Sequence, residues 1–338
     1  MCNGRARAQG SRVRAPAKRT AARSFNPARG DSDEDPVDDS TFRSAPSRLC
    51  GVLASAGTLC LTAFSASAVP IDPSSPTTGW TPISYPTLLP DVYDDERTGS
   101  PEADIVGNAS NPAFYYRFDD NGTPSTTDGS IGFRVRIGAD KSPAGFDHFM
   151  GVGLDANGDG ALDLFVAVDN SGNPDRVGIF AAGTGANTSP STTSINSTPL
   201  FSYALSVSNY NFSAVTATID PPATSVDLDA DGNNDYFVTF VVPFGDVRSA
   251  LAAQGIGGFD DTSSMRLVVG SSTQPNALNQ DLGGPNGGTT STSTWSALGA
   301  ISNSLSAAGG FPVPEPGTGL LVAFGLCGLA ASRRHARR

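Results

Sequence analysis

Ile131-Gly132-Phe133-Arg134-Val135-Arg136-Ile137 sets a large apolar residue against glycine or arginine at every second position. A period of two is the signature of a strand with one face on a core. Ile131, Phe133, Val135 and Ile137 share that face, and Arg134 and Arg136 lie on the other. The same alternation recurs in Leu162, Leu164, Val166 and Val168, and in Tyr236, Val238, Phe240 and Val242. Shorter runs of the same kind predict strands over 113–118, 148–154, 176–181, 201–207, 212–219 and 266–269. Clusters of Gly, Asn, Asp and Ser separate them, as turns require. One helix is expected, from Asp246 to Ala253, with Gly255 just beyond its end. Many short strands, turn-rich joints and one short helix predict an all-β fold, an antiparallel β-sandwich of jelly-roll or Ig-like type.

Composition divides the 338-residue chain before any fold is considered. Residues 1–48 mix basic and acidic blocks without apolar periodicity. They read as a disordered extension or as sequence ahead of the true start. Residues 69–316 hold 27 acids against 8 basic residues, far more acidic than the whole-chain charge of −11 implies. Such a surface excludes nucleic acid, which needs a basic stripe, and attracts cations instead. The four cysteines are Cys2, Cys50, Cys60 and Cys327. The acidic middle therefore has neither a disulfide framework nor a thiolate metal site, and its stability must come from its core or from bound metal.

Both ends read as targeting segments. Arg43 and Arg48 precede an apolar run over 49–64, then Ser65-Ala66-Ser67-Ala68. Positive flank, apolar helix and a small-x-small site are the parts of a secretory signal peptide over 49–68, with Ala66 and Ala68 the small residues of the site that signal peptidase cuts. At the other end, Val313-Pro314-Glu315-Pro316 leads into an apolar run and closes on Arg333, Arg334, Arg337 and Arg338. Proline on both sides of Glu315 keeps that triplet extended and outside the helix. The arginines stay cytoplasmic by the positive-inside rule, with the acidic domain outside. This tail, over 313–338, resembles the PEP-CTERM sorting signal of exosortase substrates. The resemblance implies a transmembrane helix that anchors the chain in the inner membrane. It also implies cleavage near Pro314, Glu315 and Pro316 by an exosortase-type membrane protease, and final residence at the cell surface or outside the cell.

Between these signals we expect an extended, proline-rich lead-in over 69–110, the sandwich over 111–282, and a Gly/Ser/Thr-rich loop or stalk over 283–312. Trp295 in that last stretch is positioned to pin part of it to the sandwich.

Two loops repeat one pattern. Asp155, Asn157, Asp159 and Asp163 occupy positions 1, 3, 5 and 9 of the first, and Asp227, Asp229, Asp231 and Asp235 those of the second, each with glycine at position 6. Alternate oxygen-bearing residues in a tight loop converge on one point, and Ca²⁺ takes six to eight hard oxygens. Position 12 is Val166 or Val238 rather than a bidentate Glu, and the flanks are strands. The expectation is a calcium loop of the DxDxDG type, with an affinity of about 10⁻⁴–10⁻³ M. Asp-Gly and Asn-Gly are also the residues of ordinary hairpin turns, which is how Asp119 to Gly122 and Asp169 to Asp175 are read.

No Ser-His-Asp order and no metal-hydrolase motif is present, and His148 reads as a structural histidine within a strand. Trp80, Tyr115, Tyr116 and Trp295 are the aromatics available to stack on sugars or to fill a core. The functional expectation is a non-catalytic, calcium-binding surface or matrix protein that binds or organises extracellular polysaccharide. The alternative is a secreted glycoside hydrolase using an unidentified carboxylate pair.

Overall fold

The computed structural model describes residues 70–308 apart from 87–90, 92–94, 124, 142–144, 184, 194, 196–197, 276 and 285–291. Ala66 and Ala68, Pro314, Glu315 and Pro316, and the segments expected to form the signal helix and the membrane helix all lie outside the described residues. Within them, no helix is long and apolar enough to cross a membrane.

Two antiparallel sheets form the structure. The strands are β1 (Thr81–Pro82), β2 (Phe114–Asp119), β3 (Ser130–Ile137), β4 (Phe149–Asp155), β5 (Leu164–Asp169), β6 (Arg176–Ala181), β7 (Phe201–Ala204), β8 (Tyr210–Ala214), β9 (Tyr236–Pro243), β10 (Ser264–Ser272) and β11 (Leu305–Ser306). One sheet runs β1-β2-β3-β9-β8, the other β11-β10-β4-β5-β6-β7. The core lies between them. Ile131, Phe133, Val135 and Ile137 of β3 meet Val152 and Leu154 of β4 and Leu164, Val166 and Val168 of β5, all buried. Helix α1 (Phe244–Ala253) closes one end, burying Phe244, Val247, Ala250 and Leu251 at helical spacing. Gly255 at φ +92° ends it, where a side chain would be strained.

Neither sheet faces water on its outer side, and this departs from simple alternation. The outer face of the second sheet carries Phe149, Phe165, Phe180 and Val268 under Leu278, Leu282, Trp295 and Ile301. Leu162 belongs to this outer layer rather than sharing the face of Leu164, because it precedes β5 and turns away from the strand. Trp295 opens a short helix α2 (Trp295–Leu298), is buried, and donates its indole N–H to the Ala186 carbonyl at 2.8 Å.

The first sheet is covered by residues 71–80. Trp80, Ile71, Tyr115, Phe237 and Val241 make a third apolar cluster there. Arg134 and Arg136, which the alternation places on the opposite face from the core, are both buried, Arg134 beneath this cover and Arg136 against Asp220, Ser225 and Asp235. The Arg134 guanidinium lies 4.4 Å from the Trp80 ring centre and donates to the Pro73 and Ser75 carbonyls and the Thr239 hydroxyl. Burial lowers its pKa to about 10. The proline-rich lead-in is thus held by hydrogen bonds to a cation and by an indole stacked on it.

Trp80→Ala should destabilise the protein by about 3–5 kcal/mol, because it removes both the ring and the cover over Arg134. Leu200→Ala, at an exposed edge position, should cost less than about 0.5 kcal/mol. Equilibrium urea unfolding of both variants measures the contrast.

Candidate functional site

The two acidic loops, far apart in sequence, fold alike. The first joins β4 to β5 and the second leads into β9. In both, the carboxylate at position 1 accepts the N–H of position 6: Asp155 from Gly160 at 3.0 Å, Asp227 from Gly232 at 3.1 Å. The carboxylate at position 9 accepts the N–H of position 2: Asp163 from Ala156 at 2.8 Å, Asp235 from Leu228 at 3.2 Å. Position 3 accepts from position 5 and position 5 from position 7, through Asn157 and Asp159 in the first loop and Asp229 and Asp231 in the second. Both backbones have positive φ at positions 4 and 6, in Gly158 and Gly160 and in Ala230 and Gly232. Ala230 accepts the left-handed conformation with a Cβ in place, a cost the surrounding loop must outweigh.

The loops differ in how closely their acids approach. Carboxylate oxygens of Asp227, Asp229 and Asp235 lie within 4.8 Å of one another. Among the described residues, the first loop's carboxylates form no such group. Asp235 is wholly buried and is gripped by Arg136, whose Nε donates to Oδ2 at 2.6 Å and whose Nη2 stands 2.6 Å from the same oxygen. Arg136 also donates to the Ser225 carbonyl at 2.8 Å and stands 3.8 Å from Asp220. Even so, burial pushes Asp235 up to about 6 against the pull of Arg136. Asp229 is raised to about 6 as well, first by burial and then by its contacts with Asp227, Asp231 and Asp235. No N–H or hydroxyl reaches the buried Oδ1 of Asp227, although Asp229 and Asp235 stand close by. A hard cation fits this donor set: it would take the place of the proton that the crowded acids otherwise retain.

Sequence reasoning missed a second acidic group next to the first. Oxygens of Asp95, Asp104 and Asp281 also lie within 4.8 Å of one another, and Asp91 is buried close by. Asp281 accepts the Ile105 and Leu282 N–H groups, both at 2.6 Å. Its carboxyl is held well above the usual range by burial, then by Asp91, Asp95 and Asp104. The two groups face each other across Gly138. A Cβ there would sit 3.0 Å from Asp229 Oδ2 and 3.4 Å from Asp104 Oδ2. No spacing in the sequence links Asp281 to Asp104, since they lie in distant segments that meet only in the fold.

His148 precedes β4, and its Nδ1 stands 3.0 Å from Glu102 Oε2 and 2.5 Å from Asp147 Oδ1. Burial opposes ionisation of Asp147, but its contacts with Glu102, His148 and Lys141 outweigh that and hold its carboxyl below the usual range. The aromatics proposed as sugar platforms are in the interior: Trp80, Tyr115, Tyr116 and Trp295 are all buried. Among the described residues the exposed large apolar side chains are Leu200 and Val207, neither aromatic. One open polar cleft of about 320 Å³ lies at the β5–β6 hairpin, lined by Asp169, Ser171, Asn173, Arg176 and Gln274.

With the geometry in place, comparison with known proteins adds one finding. The family model described as the PEP-CTERM protein-sorting motif matches residues 312–338. Neither a curated protein nor a solved structure matches this chain. The match supports an exported protein that exosortase, a membrane protease, processes at its C-terminal signal.

The raised carboxyls fix the sign of a pH effect. A folded-state pKa near 6 for Asp229 and Asp235, above the unfolded value of 3.8, means the fold loses stability as pH rises from about 4 to about 6. A cation bound to the ionised form should reverse that loss. In chelator, the melting temperature should therefore fall across this window more steeply in the wild type than in Asp229→Asn. Millimolar Ca²⁺ should restore the wild type above pH 6 and leave Asp229→Asn nearly unchanged.

Proposed function

We propose that this exosortase-sorted chain is a non-catalytic surface or matrix module whose acidic loops bind Ca²⁺, and that it binds or organises extracellular polysaccharide. The observation that carries the calcium reading is the convergence of Asp227, Asp229 and Asp235 within 4.8 Å, on a loop whose hydrogen bonds repeat those of Asp155 to Asp163. Asp227 and Asp229 would be direct ligands. Asp235 would share its charge between the ion and Arg136. Asp155, Asn157, Asp159 and Asp163 would form a second, weaker site, since their carboxylates stand further apart.

Calcium here would act on shape. Holding the loop before β9 would fix its approach to Gly138, where Asp104 and Asp229 both come close. A polysaccharide would then meet a polar surface rather than a stacking platform, because the large aromatics named above are internal. The cleft lined by Asp169, Asn173, Arg176 and Gln274 offers the mix of donors and acceptors that hydroxyl-rich ligands pair with. In a matrix of acidic polymers, bound calcium would also bridge carboxylates of protein and glycan.

The test is retention of the purified full chain on the producing cell's own matrix polysaccharide, in calcium and in chelator. Retention in calcium, its loss in chelator and in Asp227→Asn, and unchanged polymer length support the reading. Shortening of the polymer that a single Asp→Asn change abolishes would establish a glycoside hydrolase instead.

A further inference from the structure

We propose that Glu102, Asp147 and His148 form a binding site for a first-row divalent transition ion of the Zn²⁺ class, separate from the calcium loops. The three side chains come from two places in the chain. Glu102 lies in the segment ahead of β2, and Asp147 and His148 lead directly into β4. One ligand atom from each residue lies within 4.8 Å of the other two. The shared element is His148 Nδ1, at 3.0 Å from Glu102 Oε2 and 2.5 Å from Asp147 Oδ1.

A ring nitrogen carries at most one hydrogen, so one Nδ1–H cannot donate fully to both carboxylates that converge on it. The convergence also gathers two acids at one nitrogen, with Glu102 wholly buried. A divalent ion resolves both problems with a neutral imidazole. Ligands ~2.1 Å from such an ion stand ~3.0 Å apart at adjacent octahedral positions and ~3.4 Å apart in a tetrahedron. The Nδ1 to Oε2 distance of 3.0 Å already matches the first. Closing the site needs Asp147 to withdraw by about 0.5–0.9 Å to reach these spacings, and its side chain is 64 % exposed and so able to do so. Imidazole with two carboxylates is a donor set that suits Zn²⁺ and its neighbours better than Ca²⁺, which prefers oxygen throughout.

The surroundings hold the ligands in place. The other carboxylate oxygen of Glu102 accepts the Lys141 N–H at 3.1 Å, which fixes its orientation. The Phe146 ring lies 6.0 Å from the imidazole centre and limits its rotation. The exposed Asp147 side leaves an entry path, and three protein ligands leave positions for water. Such a site would fasten the lead-in segment to the start of β4.

The experiment uses the full chain, stripped with chelator, carrying His335→Ala so that His148 is its one histidine. Co²⁺ and then Zn²⁺ are titrated in the presence of millimolar Ca²⁺, following Co²⁺ visible absorption and the imidazole NMR signals. We expect one Co²⁺ equivalent whose paramagnetism shifts the His148 signals, with Zn²⁺ displacing it. Asp147→Asn and Glu102→Gln should each weaken binding at least tenfold, while Asp227→Asn leaves it unchanged. Undisturbed His148 signals, or affinity equal in wild type and Asp147→Asn, would overturn the proposal and leave an imidazolium paired with two carboxylates. Asp147→Asn decides the matter even if changes at buried Glu102 or His148 prevent folding. Calcium binding fails or stands separately, through Asp227→Asn.

Discussion

The buried pair of Arg136 and Asp235 is the constraint around which the acidic side of this protein is built. Arg136 projects from the outer face of β3, whose other face carries Ile131, Phe133, Val135 and Ile137 into the core. Its guanidinium is wholly buried and donates to Asp235, while the Ser225 carbonyl takes a second hydrogen bond. A buried ion pair adds little net stability, because desolvating both charges offsets their attraction. What it fixes is position. Asp235 is the ninth residue of the second acidic loop, and its other oxygen accepts the Leu228 N–H. The arginine thereby ties the loop's closing carboxylate to the central strand of the sheet. Arg134, two residues earlier, does the same for residues 73–75.

That arrangement brings acids together that would otherwise repel. Asp227 and Asp229 crowd Asp235 from one side, and Asp104 with its neighbours Asp95 and Asp281 approaches across Gly138. Gly138 lacks the Cβ that would touch both Asp229 and Asp104, so the two groups close on each other. Retaining protons is one way to relieve such crowding, and the raised carboxyls show it. Binding a hard cation, as proposed above, would be the other. Proton and cation then compete for the same oxygens.

Much of the architecture was legible because strands write their inner face into the sequence. The alternation in β3 and β9 located both strands and chose the face that meets the core. It did not say what covers the other face. Arg134 and Arg136 read as the polar side of β3, yet Trp80 and residues 73–75 enclose the first, and Asp220, Ser225 and Asp235 the second. The cover over Arg134 comes from a proline-rich stretch with no period of its own. The same limit applies to Trp295, whose surroundings of Gly, Ser and Thr read as loop while the ring itself fills the outer face of the second sheet. The acidic loops were legible through spacing alone, and the structure adds their matching hydrogen bonds. Glu102 beside His148, and Asp104 beside Asp281, were beyond reach. Each pairing joins segments distant in the chain, and a single sequence records no such contact.

The most direct test of the account is crystallography of the full chain in millimolar Ca²⁺, with data collected where calcium scatters anomalously. The account predicts an anomalous peak at ~2.3–2.6 Å from oxygens of Asp227, Asp229 and Asp235, with the Arg136 to Asp235 contact retained. An ordered second loop with no anomalous peak among those oxygens would contradict it, leaving the two loops as turns closed by their own hydrogen bonds.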